Sequence, residues 1–295
     1  MNIPNPREEA PVRKSIAFLL LSVATALSSP ARAITNNYTN DFEHPFVGLA
    51  VFYDAAGQFI WRCSGSLISP TKFLTAGHCA DTAEGAASAR IYFQQDAGAH
   101  YDPATQHDPV TGYPDTCAPG TLGTLCATSK RIYNYGFANF AGFPNTHDAG
   151  VLILDQAIKL PEYGQLPQAG TLDSLATARG QKDPVFTSSG YGLTLSVQEH
   201  SALSNISFRS RLMAVSTLVN LRSNNTDGFN LQLQGNGNGR GGTCSGDSGG
   251  PVFLGDTKSN LIVAVTSFGM NAICRGTDFS YRIDRKEVLD WINSF

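Results

Sequence analysis

The chain has 295 residues, 42% of them hydrophobic, and its 21 Lys and Arg against 24 Asp and Glu give a formal net charge of -3. This length can bury a core, in one large domain or in two smaller ones. The basic residues are scattered rather than gathered into a stripe, which argues against nucleic acid and against a membrane surface as partners.

An export signal is predicted at the N-terminus, over residues 1–33. Arg13 and Lys14 precede an apolar run over residues 16–27, and the small-residue cleavage site Ala31-Arg32-Ala33 follows. The run covers 12 residues, whereas a helix that spans a membrane needs about 20. We therefore expect a secreted, extracellular protein that is not attached to a membrane once the signal is removed.

Most of the remaining chain consists of short β-rich runs between turn signals, which predicts an all-β sandwich or barrel. The clearest runs, in chain order, cover residues 46–53, 65–69, 89–93, 151–154, 185–188, 211–219 and 261–268. Only residues 285–293 have helical spacing, with Val288, Leu289 and Ile292 on one face. One C-terminal helix is therefore expected.

Three segments between these runs have the composition of loops. Residues 94–129 are rich in Asp, Pro, Gly and Thr and are predicted to form a long surface insertion. Residues 160–180 are the expected linker between two halves of the chain. Residues 235–242 contain five glycines and are predicted to be flexible.

The segment Gly246-Asp247-Ser248-Gly249-Gly250 is the first candidate for catalysis, because glycines around a serine allow close approach of a substrate. It also fits the serine turn of α/β-hydrolases, or a plain glycine-rich turn. An α/β-hydrolase needs a histidine after the serine, but every histidine here precedes it, at positions 44, 78, 100, 107, 147 and 200. A subtilisin-like order with Asp54 and His78 would need alternating helices and strands, which the chain lacks. The order His, Asp, Ser remains.

Four blocks resemble the signature blocks of the chymotrypsin/trypsin family: Cys63-Ser64-Gly65-Ser66-Leu67-Ile68, Thr75-Ala76-Gly77-His78-Cys79, His147-Asp148-Ala149-Gly150-Val151-Leu152 and Gly246-Asp247-Ser248-Gly249-Gly250-Pro251. The resemblance runs from about Ile34 to Asp290-Trp291-Ile292, with the insertion outside it. It implies two packed six-stranded antiparallel Greek-key β-barrels and a C-terminal α-helix. The first barrel would cover residues 34–168 and the second residues 169–295.

The resemblance also implies a serine endopeptidase. Ser248 would be the nucleophile and His78 the general base and then the general acid, while Asp148 would fix the histidine tautomer. His78 and Asp148 would lie in the first barrel and Ser248 in the second. The backbone N–H groups of Gly246 and Ser248 would form the oxyanion hole.

The same resemblance pairs Cys63 with Cys79 and Cys244 with Cys274, and the two cysteines then left, Cys117 and Cys126, are expected to pair within the insertion. The alternative is a metal site made from Cys117, Cys126, His100 and His107. Export favours disulfides, so we expect no metal and no cofactor.

Members of the family become active when a new N-terminal Ile or Val ammonium pairs with the Asp before the catalytic serine, which is Asp247 here. Ile34 directly follows the predicted cleavage site, so the resemblance suggests that signal peptidase itself produces the activating end. Asn36 and Asn37 replace the usual glycines of the family at this end.

The resemblance places Gly242 where trypsins carry the Asp that selects Lys or Arg, and it places Asp278 on the opposite wall of the pocket. We expect a pocket that accepts Lys or Arg with relaxed selectivity, and large apolar residues as well. Ser267, Phe268 and Gly269 would pair with the substrate backbone as an added strand. Thr266 replaces the His of glutamate-selective members, which disfavours that specificity.

The expected partners of such a monomer are protein or peptide substrates and protein inhibitors. Two other functions stay open on the sequence. A secreted binding protein without activity could use the same fold, and an esterase would share every catalytic residue.

Overall fold

The computed structural model describes residues 34–35, 37–97, 113, 117, 125–176, 184–194, 209–235, 239–270 and 274–295. The predicted export signal, most of the predicted insertion, His100 and His107 lie outside this set. Among the described residues, no helix is long and apolar enough to cross a membrane.

The described residues form mainly short antiparallel strands. In chain order these are β1 Tyr38–Asn40, β2 Val47–Tyr53, β3 Phe59–Leu67, β4 Lys72–Thr75, β5 Ser88–Tyr92, β6 Cys126–Ser129, β7 Arg131–Asn134, β8 Gly150–Ile153, β9 Val185–Gly190, β10 Leu212–Asn220, β11 Asn230–Gln234, β12 Pro251–Leu254, β13 Ile262–Gly269 and β14 Thr277–Arg282. A 3-10 helix covers Asp173–Ala176, and the helix α1 covers Lys286–Asn293.

The first sheet has the strand order β6-β5-β2-β3-β4-β8-β7. Lys130 alone separates β6 from β7, so the two edges of the sheet are joined through the chain and the sheet curls into a barrel. All seven residues of β2 are buried, because this strand lies at the centre of the sheet between β3 and β5. The sheet places the end of β4 beside the start of β8, with Thr75 opposite Gly150.

The second sheet has the order β1-β10-β11-β14-β13-β12-β9, and β9 also pairs with β10. This additional pairing closes a barrel of six strands, to which β1 is added along β10. Each sheet therefore has seven strands, where six were predicted for each barrel. In the first sheet, one continuous stretch is interrupted at Lys130 and forms both β6 and β7. In the second sheet, β1 is the additional strand. The predicted all-β fold of two antiparallel barrels and a C-terminal helix is confirmed.

The hydrophobic core continues from one barrel into the other. Phe46 and Leu49 from the first barrel belong to the same buried cluster as Phe253, Ile262 and Val265 from the second. A smaller buried cluster in the second half of the chain includes Leu172, Phe186, Leu231 and Val252. The shared core fixes the two barrels against each other, and a site between them is held by both.

Helix α1 packs its predicted apolar face, Val288, Leu289 and Ile292, against the body of the protein. The Trp291 ring lies 5.1 Å from the ring of Tyr135, and Lys72 Nζ donates to the Ile292 carbonyl at 3.1 Å. The helix thus follows the second barrel in sequence but is fastened to the first.

Candidate active site

The candidate site includes Asp148, which lies just before β8 and whose side chain is fully buried from solvent. Its Oδ1 accepts the backbone N–H of His78 at 2.8 Å, and its Oδ2 lies 2.9 Å from His78 Nδ1. The hydroxyl of Ser267 also donates to Oδ2. Burial alone would raise the pKa of Asp148, but His78 and the Ser267 hydroxyl outweigh burial and lower it. The carboxylate therefore stays ionised and is held by three donors.

His78 follows β4 and precedes Cys79, whose disulfide to Cys63 anchors this turn to β3. Its side chain is 25% exposed. Burial opposes the charged ring, but the Asp148 carboxylate outweighs that effect and the pKa of His78 is raised. Because Nδ1 is hydrogen-bonded to the Asp148 carboxylate, Nε2 is the nitrogen available to exchange a proton with a substrate or a nucleophile.

The Ser248 loop reaches the histidine-bearing segment through close backbone contacts. Ser64 N–H donates to the Ser248 carbonyl at 2.8 Å, and Cys79 Sγ lies 3.7 Å from the same oxygen. Gly249 has a φ of 77°, and a Cβ built there would collide with Thr75 Oγ1. Glycine is therefore required for the serine loop to approach the end of β4.

Within the described part of the chain, no hydrogen bond joins the Ser248 hydroxyl to the His78 ring. Catalytic hydrogen bonds are often long before a substrate binds and shorten in its complex. Ser248 lines the cavity described below. The structure thus brings the three predicted catalytic residues into one region and joins two of them directly.

Two backbone donors flank Asp247. Gly246 has a φ of 95°, and Asp247 N–H is already bonded to the Cys244 carbonyl at 3.0 Å. In contrast, no acceptor among the described residues takes the N–H of Gly246 or of Ser248. These two N–H groups can stabilise negative charge on an oxygen, an effect worth about 3 kcal/mol for one such donor.

Asp247 is fully buried and accepts the N–H of Gly192 at 2.8 Å and that of Cys244 at 2.9 Å. Within the described ranges, no Lys, Arg or His forms an ion pair with it. Burial raises the pKa of Asp247 to about 7, and the negative charge of Asp278 contributes. This carboxylate has two hydrogen-bond donors and still lacks a positive charge.

Ile34 and Thr35 lie against the second barrel. Ile34 is fully buried and packs with Leu212 and Ala214 of β10. Thr35 exchanges two backbone hydrogen bonds with Gly242, each 2.9 Å long. The segment proposed to activate the site therefore pairs with the residues that precede the serine loop.

A cavity of about 180 Å³ opens beside Ser248. Asp278 lies on its wall, where it is 6% exposed and accepts the Thr243 N–H at 2.7 Å. Burial raises the pKa of Asp278 to about 6, although the hydrogen bonds from Thr243 act in the opposite direction. The remaining lining residues are Thr243, Cys244, Ser245, Thr266, Ser267, Phe268, Gly269, Met270, Cys274, Arg275 and Thr277.

Gly242 does not line the cavity itself but lies behind Asp278. A Cβ built on Gly242 would collide with Asp278 Oδ2. The wall therefore has room for one carboxylate, supplied by Asp278, and no room for a side chain at position 242. Ser267, Phe268 and Gly269, from the predicted substrate strand, do line the cavity.

Sequence reasoning missed an aromatic shelf, which consists of Phe137, Phe140, Phe143 and Phe268. The ring centroids of Phe140 and Phe268 are 5.5 Å apart, and those of Phe143 and Phe268 are 5.9 Å apart. Phe140 and Phe143 remain 40% and 45% exposed. The available signal was the run from Tyr133 to Phe143, which places aromatic residues in a polar, Gly- and Asn-containing stretch.

The disulfide bonds expected of the chain are present as Cys63–Cys79, Cys117–Cys126 and Cys244–Cys274. The alternative metal site would need thiolates from Cys117 and Cys126, and both sulfurs are used in the disulfide. The same holds for Cys63 and Cys79, which lie near His78.

Comparison with known proteins gives matches across most of the chain. A family model described as Trypsin matches residues 43–292. The chain is 27% identical over 274 residues to CLIP domain-containing serine protease B10 of Anopheles gambiae, across 88% of this chain and 68% of that protein. It is 30% identical over 244 residues to brachyurin of Leptuca pugilator, across 80% of this chain and 88% of that protein.

Among solved structures, HL collagenase matches with a TM-score of 0.59 at 17% identity, over 88% of this chain and 97% of that one. Human heparin binding protein matches with a TM-score of 0.58 at 19% identity, over 89% of this chain and 96% of that one. At these identities the likeness concerns the fold alone.

Proposed function

Because the chain belongs to the trypsin family, we propose that it is an active serine endopeptidase that hydrolyses peptide bonds through an acyl-enzyme on Ser248. One observation carries the proposal: a buried, ionised Asp148 holds His78 Nδ1 at 2.9 Å, on the turn that contacts the Ser248 backbone. A serine hydroxyl is unreactive unless a positioned base removes its proton.

In the proposed reaction, Ser248 Oγ bonds to the substrate carbonyl carbon and its proton passes to His78 Nε2. The N–H groups of Gly246 and Ser248 bind the oxygen that becomes negative. His78 then gives its proton to the leaving amine as the C–N bond breaks. Water repeats the sequence on the acyl-enzyme and releases the carboxylic acid. Asp148 remains ionised throughout, consistent with its lowered pKa.

We further propose that Ile34 is the N-terminus of the active form and that its ammonium pairs with Asp247. Two observations support this. Asp247 is buried with a pKa raised to about 7, so a nearby cation would stabilise it. Ile34 has a φ of 63°, a left-handed value that costs a β-branched residue about 1 to 3 kcal/mol. A first residue has no φ torsion, so cleavage after Ala33 would remove this strain.

The proposed pocket specificity rests on Asp278. A single carboxylate on the wall of the cavity favours Lys or Arg, while Phe268, Met270 and the disulfide Cys244–Cys274 offer apolar surface for large uncharged side chains. The selectivity is therefore relaxed rather than strict.

We also propose that the protein is an exported monomer. Residues 1–33 would be its export signal, and the two barrels would cover residues 34–168 and 169–295. Three disulfides support an oxidising compartment. The strand β1 belongs to the first range in sequence but pairs with β10 of the second barrel. Protein or peptide substrates and protein inhibitors are the proposed partners.

A fluorophosphonate probe tests the proposed activity on protein that begins at Ile34. We expect covalent labelling of Ser248, located by mass spectrometry, and cleavage of peptide substrates that contain Arg or Leu. Ser248→Ala is the matched control and should neither be labelled nor cleave peptides. Folded protein with the Ile34 terminus that stays unlabelled would contradict the proposal.

A second candidate is a secreted binding protein without activity, because human heparin binding protein has the same fold. The presence of His78, Asp148 and Ser248 together favours the peptidase. Failure of the label on folded protein, together with retention of a binding partner, would favour the second candidate. Parallel assays with peptide and simple ester substrates separate a peptidase from an esterase.

A further inference from the structure

The N-terminal segment contacts residues 240–243, here called the wall segment, of which Thr243 lines the cavity and Gly242 lies behind Asp278. One of these contacts comes from Asn37, which has no assigned role. Besides the two backbone bonds between Thr35 and Gly242, the side-chain amide of Asn37 donates to the Arg240 carbonyl at 3.1 Å. This third hydrogen bond lies two residues after Thr35 in the N-terminal segment and two residues before Gly242 in the wall segment. It fixes the direction in which the N-terminal segment runs over the wall.

Asn37 also has an unusual backbone conformation, with a φ of 41°. Left-handed values favour glycine, and asparagine is among the other residues that accept them most readily. Members of the family usually have glycine at this position. A glycine would supply the conformation alone, whereas Asn37 supplies both the conformation and a donor for Arg240.

The wall segment is held from its other side by the cavity carboxylate. Thr243 N–H donates to Asp278 Oδ2 at 2.7 Å, and the next residue, Cys244, donates its N–H to Asp247 Oδ2 at 2.9 Å. The wall thus lies between the N-terminal segment and two buried carboxylates. Loosening of the N-terminal segment would free one side of this wall.

We propose that Asn37 is a positioning residue whose side-chain amide latches the N-terminal segment to the wall and so favours the state in which Ile34 is buried. The inference rests on the proposed activation by the Ile34 ammonium. Loss of the amide leaves the catalytic residues unchanged but increases the fraction of molecules in which the terminus is released. Released molecules lack the cation beside Asp247 and have a disordered pocket wall.

The test uses protein that begins at Ile34 and two variants. Asn37→Gly keeps the left-handed conformation and removes the amide, while Asn37→Asp keeps the shape and replaces the donor by an acceptor. Asp227→Gly is the matched control, because Asp227 also has a positive φ, 38°, on an exposed turn that does not line the cavity. Cyanate carbamylates a free α-amino group, and mass spectrometry of the N-terminal peptide gives the rate.

We expect Asn37→Gly to be carbamylated about 2- to 10-fold faster than the parent, the ratio that one hydrogen bond contributes to an equilibrium. Asn37→Asp should react at least as fast, and Asp227→Gly at the parent rate. A paired ammonium has a raised pKa, so activity is present at lower pH and lost as pH rises through that value. Weaker insertion should lower the alkaline midpoint of activity by about 0.3 to 1 pH unit.

The proposed role of Asn37 would be overturned if both Asn37 variants were carbamylated at the parent rate and had the parent's alkaline midpoint of activity. Failure of the proposed activation looks different, because the unchanged chain would then be equally active with and without Ala33 at its start. Near-ultraviolet circular dichroism confirms that labelling is measured on folded protein. If Asn37→Gly does not fold, the comparison of Asn37→Asp with the parent decides the question in the same way.

Discussion

The Asp148 carboxylate receives the backbone N–H and Nδ1 of His78 and the hydroxyl of Ser267. An amide in its place would turn an NH₂ group toward one of these donors and favour the wrong histidine tautomer. We expect Asp148→Asn to lower kcat about 10⁴-fold, measured on a peptide substrate under saturation. Ser267→Ala removes only one donor and should cost far less. Equal losses in the two variants would argue against tautomer control.

Asp278 is expected to make pocket selectivity depend on pH. Its pKa is raised to about 6, so the charged form exists above that pH and is lost as pH falls through it. The kcat/KM ratio of an Arg substrate to a matched Leu substrate should rise about 5- to 10-fold from pH 5 to 7. The ionised fraction of Asp278 rises about tenfold over this range, and a charged hydrogen bond contributes about 1.5 to 3 kcal/mol.

Titration of His78 affects both substrates of this pair equally and cancels in the ratio. Asp278→Asn is the matched control, and its ratio should be low and independent of pH. A pH-dependent ratio in Asp278→Asn would show that another group selects the substrate.

The sequence could single out candidate residues wherever a motif surrounded them. His78 and Ser248 were predicted because each lies within a block of characteristic neighbours, and Asp278 was predicted by aligning the strand that follows it with its family counterpart. The collision between a side chain at Gly242 and the Asp278 carboxylate depends on two segments far apart in sequence. No local pattern could have indicated it.

The loop between β7 and β8 supplies three of the four residues of the aromatic shelf. Phe140 is the residue to test, because its ring contacts both Phe137 and Phe268. We expect Phe140→Ala to lower kcat/KM about 5- to 30-fold for peptides with an apolar residue flanking the one held in the cavity, because partial burial of a Phe contributes about 1 to 2 kcal/mol. Peptides with Gly at that position should be nearly unaffected. Phe42→Ala, an exposed Phe at 68%, is the control.

Helix α1 is expected to stabilise the fold without taking part in catalysis. Ile292 is fully buried, so Ile292→Ala leaves a cavity and should reduce the free energy of unfolding by about 2 to 5 kcal/mol. Urea denaturation measures this value. Asp290→Ala, on the exposed face of the same helix, should change it by less than about 0.5 kcal/mol. A large fall in kcat of folded Ile292→Ala would contradict the purely structural role.

The long strands, the helix and the four-residue β8 were predictable, whereas other four-residue strands were not. The predicted run at residues 46–53 became β2 and the run at 211–219 became β10. Strands such as β4, β7 and β12 have four residues each, which is too short for alternation to be recognised. They form because neighbouring strands supply their hydrogen-bond partners, and that information is not local.

Across the whole molecule, Arg211 connects the two barrels. It precedes β10 of the second barrel and donates to the carbonyls of Val47 at 3.1 Å and Phe93 at 3.0 Å in the first. Its Nε also donates to the Asp41 carbonyl at 3.1 Å. Arg211→Leu should reduce the free energy of unfolding by about 3 to 5 kcal/mol, because it leaves buried polar groups unpaired.

Chemical denaturation followed by tryptophan fluorescence measures the effect of Arg211→Leu. The control is Arg222→Leu, at an exposed turn position, which should remain within about 0.5 kcal/mol of the parent. Similar stabilities of the two variants would mean that the shared hydrophobic core alone holds the barrels together.

The pairing of β1 with β10 has a consequence for the order of events during synthesis. Residues 38–40 leave the ribosome early, but their partner strand, Leu212–Asn220, is made only after both the histidine turn and the Asp148 loop. Until then, Ile34 has no second barrel on which to dock. The proposed cleavage before Ile34 would therefore have a time window during translation, which ends when the last strands complete the second barrel.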